Sequence, residues 1–245
     1  MAGADPRFAL SIVVPVHDEA ENVEPLVAEI ASLAGRIELA EIIFVDDGSG
    51  DDTAARLARL RRVEPRLRLL RHRRRAGQSA AIRSGVKAAR TPWIVTLDGD
   101  GQNDPADIPQ LIAAAAAAAL QPVLVGGLRV RRHDGWSRRA ASRIANAVRG
   151  RLLGDRCPDT GCSLKLFRRD RFLDLPYFDG MHRFLPALFG LTGEPVLYLP
   201  VNHRPRLHGR TKYGNWHRGL IGIVDLFGVR WLQSRTAAVD AREEL

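Results

Sequence analysis

"VTLDGDGQND" (95–104) is the stretch on which the reading of this chain turns. An apolar run stops abruptly in Asp98, Gly99, Asp100 and Gln102. Two carboxylates at a strand end suit a hard divalent cation, Mg²⁺ or Mn²⁺, which takes oxygen ligands and shares its shell with substrate phosphates. Gly99 lets the backbone approach closely, and Gln102 can add a neutral oxygen. A solvated turn accounts for the same residues equally well, because Asp and Gly favour turns.

The surroundings decide between the two. Apolar runs rich in branched residues alternate with helical periodicity on both sides of the motif. Strands are expected at 8–16, 41–47, 67–71, 92–98 and 122–127, and helices at 19–35, 51–63, 78–90 and 104–120. The last of these helices opens with an Asp cap and Pro at its first turn. Strands that are apolar along their whole length, each followed by a helix, predict an α/β fold: a mostly parallel sheet with helices on both faces. In such sheets ligands bind beyond the carboxyl ends of the strands. Three of those ends carry polar residues, Pro15–Glu19, Asp46–Ser49 and Asp98–Gln102, so residues scattered in sequence are expected to converge. A carboxylate at the second end can accept from a nucleotide base N–H, whereas Asp51 and Asp52 read as helix caps.

Beyond residue 128 the pattern changes. A basic amphipathic helix is expected at 135–154, a turn into a strand at 157–170, a helix at 181–191 and a strand running into a basic loop at 194–214. The formal charge is +9 and 45% of the residues are hydrophobic, enough for a substantial core. Lysine occurs only at Lys87, Lys165 and Lys212, so the basic excess is arginine. That excess points to an acidic partner such as a phosphorylated substrate or anionic lipid; compositional bias explains it as readily. Nucleic acid is not expected, because the basic run at 66–77 lacks interleaved aromatics. Cys157 and Cys162 form neither a disulfide framework nor a zinc site, which favours a reducing, cytoplasmic setting. The first residues read as a strand rather than a signal peptide, and no run reaches the ~18 apolar residues of a membrane span. No G-x-x-x-x-G-K-[ST], G-x-G-x-x-G or G-x-S-x-G motif occurs at a fitting place, which sets aside the P-loop, dinucleotide and hydrolase plans.

Five segments in this order, "SIVVPVHDEAENV", "IIFVDDGSGDDT", "GQSAAIRSGVKAARTPWIVTLDGDGQNDP", "DTGCSLKLFRR" and "PRLHGRTKYG", resemble the family 2 glycosyltransferases. Within them the chain is most similar to the dolichol-phosphate mannosyltransferase and polyprenyl-phosphate sugar synthase group, over about residues 9–214. The resemblance implies a glycosyltransferase A-type fold. It implies transfer of a sugar from a UDP- or GDP-linked donor to a polyprenyl phosphate, with inversion and with Mg²⁺ or Mn²⁺. Pro15, Val16, His17 and Glu19 match the first nucleotide-contacting loop, with His17 where tyrosine is common. Phe44, Asp46 and Asp47 match the stretch that holds the base. Asp98, Asp100 and Gln102 match the metal site, with Gly99 at the nucleotide between them. Arg129, Arg138 and Ser142 match residues that hold the acceptor phosphate. Arg206 and Lys212 match a basic loop that closes over the donor, and with Asp98 and Asp100 they form the implied catalytic set.

The residues themselves leave three alternatives: a saccharide or protein acceptor, which would call for a general base; a non-catalytic partner subunit; and, motivated by charge alone, a nucleic-acid-binding protein. The catalytic unit is expected over 1–214, with a C-terminal helix and tail over 215–245. The run 219–232, broken by Asp225 and Arg230, either packs on the core or lies in a membrane interface with Trp216 and Trp231 at headgroup depth. A membrane-held acceptor favours peripheral attachment at the inner face of the cell membrane. Oligomeric state is not legible.

Overall fold

The computed structural model describes residues 6–130, 149–155, 157–206 and 215–236, with backbone alone for 6 and 215–221. In chain order the strands are β1 (Leu10–Val16), β2 (Leu39–Asp46), β3 (Leu67–Arg71), β4 (Trp93–Thr96), β5 (Leu124–Arg129), β6 (Lys165–Arg168) and β7 (Val196–Val201). The helices are α1 (Val23–Ala31), α2 (Thr53–Leu60), α3 (Gln78–Ala88), α4 (Ile108–Ala117), α5 (Arg169–Asp174), α6 (Leu185–Phe189) and α7 (Asn215–Arg235). Asp104 caps a 3₁₀ turn ahead of α4 by accepting from the Ala106 N–H, with Pro105 at the first position.

One seven-stranded sheet runs β3-β2-β1-β4-β6-β5-β7. Strand pairs β1·β2, β1·β4, β2·β3 and β5·β7 are parallel. β6 is antiparallel to both of its neighbours. Thr96, at the carboxyl end of β4, pairs with Lys165, the first residue of β6. The chain therefore enters β6 from the end where the polar loops lie and runs away from it. Residues just before and at the start of β6 are delivered to the same edge as the ends of the parallel strands.

β1, β2 and β4 are buried on both faces, which is why they read as near-continuous apolar runs, whereas the edge strands β3 and β7 are mostly half-buried. Successive side chains alternate between the faces. Ile12, Val14, Ile42, Phe44 and Val95 join Leu26, Ile30, Leu57 and Leu111 of α1, α2 and α4 on one side. Val13, Ile43, Val45 and Ile94 join Ile82, Val86, Phe172, Leu188 and Val229 of α3, α5, α6 and α7 on the other. Val229 is buried against this second layer, while Ile223, Val224, Phe227 and Trp231 of the same helix stay exposed. One face of α7 thus packs on the core, and an apolar face is left open. Among the described residues no helix is long and apolar enough to cross a membrane.

Candidate functional site

β4 ends at Thr96, and Leu97 to Asn103 turn over the mouth of β1. Gly99 is required there. A Cβ at this position would lie 2.4 Å from Val16 Cγ1 and 3.1 Å from the Pro15 carbonyl oxygen. The close approach brings both carboxylates against the end of β1. Asp98 Oδ1 accepts from Gln78 Nε2 at 2.8 Å and Oδ2 from Ser163 Oγ at 2.6 Å. Asp100 Oδ1 accepts from the Gln102 N–H at 3.1 Å and Oδ2 from Arg206 Nη2 at 2.5 Å. Burial, and after it the negative charge of Asp100, hold Asp98 above the ordinary carboxylate value, although Ser163 draws it back.

Arg206 reaches Asp100 because the segment after β7 is clamped to this loop. The Asn202 N–H donates to Asp107 Oδ2 at 2.7 Å, Asn103 bridges His203, and the Arg204 N–H donates to the Gln102 carbonyl at 2.9 Å. Arg204 adds ion pairs to Glu29 at 2.8 Å and Asp104 at 2.5 Å.

The other two loops are tied to each other. The Asp18 N–H donates to Ser49 Oγ at 2.9 Å, the Glu19 N–H to Thr53 Oγ1 at 2.9 Å, and the Gly50 N–H to Asp18 Oδ1 at 2.8 Å. Gly48, at φ 69°, leaves no room for a side chain, since a Cβ would meet the Arg75 nitrogen at 2.8 Å. Asp47 fixes the approach to α3 by accepting from the Ala76 and Gly77 N–H groups, each at 2.8 Å. His72 braces it, with Nδ1 2.7 Å from Asp47 Oδ1 and Nε2 2.9 Å from Ser84 Oγ. Asp51 does cap α2, accepting from the Thr53 N–H at 3.0 Å; Asp52 occupies the cap position without a side-chain cap bond.

These loops enclose a cavity of about 360 Å³. Of the residues singled out in the sequence, Pro15, Val16, His17, Glu19, Asp47, Asp98, Gly99, Asp100, Gln102, Arg129 and Arg206 line it. Phe44 and Asp46 do not. Phe44 is in the core, and Asp46 is fully buried, accepting from the Ser49 N–H at 2.9 Å and lying 3.2 Å from Arg71 Nε. The reason is register: Phe44 falls on the inward side of β2, and the next loop needs Asp46 to close its turn. Arg138, Ser142 and Lys212 lie outside the described residues. Arg129 is present but engaged: its Nε and Nη2 each donate to Asp159 at 2.7 Å. Burial works against its charge, and this fork more than restores it, so its pKa is raised. Arg75, Gln78 and Ala81 complete the lining. Gln78 and Ala81 sit in the segment quoted for the resemblance, which begins at Gly77, and Arg75 lies just ahead of it; the signal was the α3 N-terminus aimed at the sheet edge.

A second cavity of about 140 Å³ adjoins the first, and Asp98 and Gln78 line both. Thr160, Ser163, Lys165, His182 and Arg183 are among its other walls.

The donor set fits a hard divalent cation. Two carboxylates repel each other at one strand end, a repulsion that a dication removes. Among the described residues no group of three or more His, Cys, Asp or Glu side chains is arranged to hold a metal. Asp98, Asp100 and the Gln102 amide would therefore share the ion with oxygens of the bound ligand.

Residues 11–175 match glycosyl transferase family 2. The chain is 37% identical over 225 residues to dodecaprenyl-phosphate galacturonate synthase of Rhizobium johnstonii, covering 90% of this chain and 66% of that one. It is 34% identical over 206 residues to undecaprenyl-phosphate 4-deoxy-4-formamido-L-arabinose transferase of Sodalis glossinidius, covering 83% and 62%. The chain thus spans just under two thirds of the length of these curated relatives. In structure it resembles glucosyl-3-phosphoglycerate synthase of Mycobacterium tuberculosis in complex with phosphoglyceric acid, with TM-score 0.68, 17% identity and coverage of 94% and 81%. The same enzyme in complex with Mg²⁺ and uridine diphosphate gives TM-score 0.67 at 18% identity, covering 91% and 79%. At such identities the likeness is one of fold.

Proposed function

We propose that this chain, which belongs to glycosyl transferase family 2, transfers a sugar from a nucleotide-sugar donor to a polyprenyl phosphate, inverting the anomeric carbon. The observation that carries this reading is the convergence of Asp98, Asp100 and Gln102 with Arg75 and Arg206 around one cavity of about 360 Å³. The names of the curated relatives support the acceptor class.

The bond between the anomeric carbon and the donor diphosphate breaks, and the electron pair leaves with the diphosphate. Asp98, Asp100 and Gln102 would hold Mg²⁺ or Mn²⁺, which would supply Lewis-acid neutralisation of that leaving group. Arg206 and Arg75 stand where they can take up the remaining charge, with Lys212 expected to join them. Arg206 is anchored beside the metal-binding carboxylates by its Nη2, 2.5 Å from Asp100 Oδ2. Gly99 and the Pro15–Val16 backbone set the floor on which the nucleotide rests, and Asp47, His17 and Glu19 form its wall. On the opposite face an acceptor phosphate oxygen attacks the anomeric carbon. A phosphate monoester has a second pKa of about 6, so it is a nucleophile at neutral pH without a protein base. Arg129, with Arg138 and Ser142, is assigned to grip it.

The acceptor lives in a bilayer, so the chain is proposed to work at the inner face of the cell membrane. Ile223, Val224, Phe227 and Trp231 are exposed and fall within one face of α7. Such a stripe can lie in the interface, and the +9 charge adds attraction to anionic lipid.

The test is incubation of the protein with polyprenyl phosphate, Mg²⁺ or Mn²⁺ and a panel of UDP- and GDP-sugars, with mass spectrometry of the lipids. A metal-dependent glycosyl-phosphoryl-polyprenol is expected. Binding of nucleotide without any lipid product across the panel overturns the acceptor assignment.

A further inference from the structure

Lys165 is 4% exposed, yet among the described residues its ammonium donates only to the Cys162 carbonyl. An ammonium has three protons, and a buried one without a counter-ion in contact is costly. No carboxylate stands within ion-pair distance of it among the described residues; Asp98 and Asp159 act on it only from farther away. Burial lowers its pKa for that reason. The lysine is one of the walls of the second cavity, with Arg183 and His182. Arg183 Nε is likewise buried without a hydrogen-bond partner. His182 is 2.7 Å from Ser79 Oγ through Nδ1. Against these stands a single lining carboxylate, Asp98, whose two oxygens are already held by Gln78 and Ser163. Asp225 feels the Arg183 charge from outside the lining. The packing provides room for a solute group and, in Lys165 and Arg183, two cations that no carboxylate contacts among the described residues.

We propose that the second cavity is an oxyanion pocket, in which Lys165 and Arg183 receive a carboxylate or phosphate group carried by one of the two substrates. Thr160 and Ser163 add neutral hydroxyls to the same wall. A volume of about 140 Å³ holds such a group with part of the sugar that bears it. Because Asp98 and Gln78 line both cavities, a ligand seated here is adjacent to the one beside the Asp-Gly-Asp turn. Two sources share this chemistry: an acidic substituent on the transferred sugar, and the phosphate of the acceptor. The assignment to a substrate rests on the glycosyl-transfer reading, whereas the pocket's preference for anions is measured without turnover.

The experiment is calorimetric titration of the full chain at low salt with galacturonate, galactose and inorganic phosphate, repeated on Lys165→Met and Arg183→Gln. Anion binding that galactose does not reproduce is expected. Each substitution should weaken it about ten-fold or more, the usual worth of a charged hydrogen bond. Galacturonate binding that phosphate does not match assigns the pocket to an acidic sugar; the reverse assigns it to the acceptor phosphate. Lys165→Met should also raise the Tm of the ligand-free protein, since it removes a buried, uncompensated charge. Absence of anion binding, or binding that both variants retain, overturns the proposal. So does a Lys165→Met protein that is less stable and binds anions as before. If Lys165→Met fails to fold, Arg183→Gln decides alone. A lipid product in the transfer assay together with no anion binding would sink the pocket and leave the transfer reading standing.

Discussion

The two cavities share a wall and differ in how their charges are settled. Around the first, nearly every carboxylate is held: Asp47 by two backbone N–H groups and His72, Asp98 by Gln78 and Ser163, Asp100 by Gln102 and Arg206. Around the second, Lys165 keeps one carbonyl and Arg183 Nε has none. A site whose acids are already satisfied by donors from its own loops is rigid before a ligand arrives, because the loops are bonded to each other. A site with spare cations is organised for something that has yet to enter. The division also follows the chain. The acids come from the parallel strand ends before residue 103, and the cations from segments after residue 128 together with Arg75.

That division sets how much could be read from sequence. The alternation of strands and helices through residue 127 follows from hydrophobic periodicity, and β3 falls where the runs placed it, at Leu67–Arg71. The acids at the strand ends were visible because a strand end is a local event. The antiparallel β6 was not, since four residues, Lys165–Arg168, carry no direction in their pattern. Its direction matters, because it delivers Ser163 and Lys165 to the site. Arg206 was singled out by resemblance, but its partner Asp100 is set by a tertiary clamp through Asn202, His203 and Arg204. Phe44 shows the opposite case: the resemblance points to the base, and its place on β2 puts the ring in the core.

The largest effect should come from the acids. Asp98→Ala or Asp100→Ala is expected to lower transfer by about 10³-fold or more, the scale of lost electrostatic stabilisation at a leaving group, while circular dichroism stays native. Wild-type rates in either variant would remove the metal role.

Two arginines, both held by carboxylates, test how far such a held charge serves the fold. Arg129→Ala strips the fork from Asp159, whose side chain is 10% exposed, and should cost about 1–3 kcal/mol of stability, the worth of the charged hydrogen bonds removed. Arg206→Ala should act mainly on turnover, since Asp100 keeps the Gln102 N–H and the clamp around Arg204 is untouched. Urea unfolding and the transfer assay on both variants would separate the two. Equal stability losses would erase the distinction.

Gly99→Ala isolates the floor of the first cavity. The new methyl would press on Val16 Cγ1 at 2.4 Å, and overpacking of this kind costs about 1–3 kcal/mol. Nucleotide affinity should fall with it, while anion binding in the second cavity should hold, because neither Gly99 nor Val16 lines that cavity.

The smallest effect tests a buried acid far from both cavities. Glu41, near the start of β2, accepts from Ser11 Oγ at 2.8 Å and from the Arg90 N–H at 2.9 Å, and pairs with Arg68. Burial alone would raise its pKa; the bonds from Ser11, Arg90 and Arg68 outweigh it and leave the carboxyl below the ordinary value of 4.5. A lowered carboxyl binds fewer protons folded than unfolded, so its contribution is fully present above that ordinary value. It is lost as pH falls through the lower folded value. Glu41→Gln keeps the shape and removes the charge, and should cost about 1–2 kcal/mol at pH 7. The gap between wild type and variant should close progressively below the ordinary glutamate range. Thermal unfolding from pH 7 down to pH 3 measures it. A gap that stays constant with pH would mean that Glu41 stabilises the sheet by shape and not by charge.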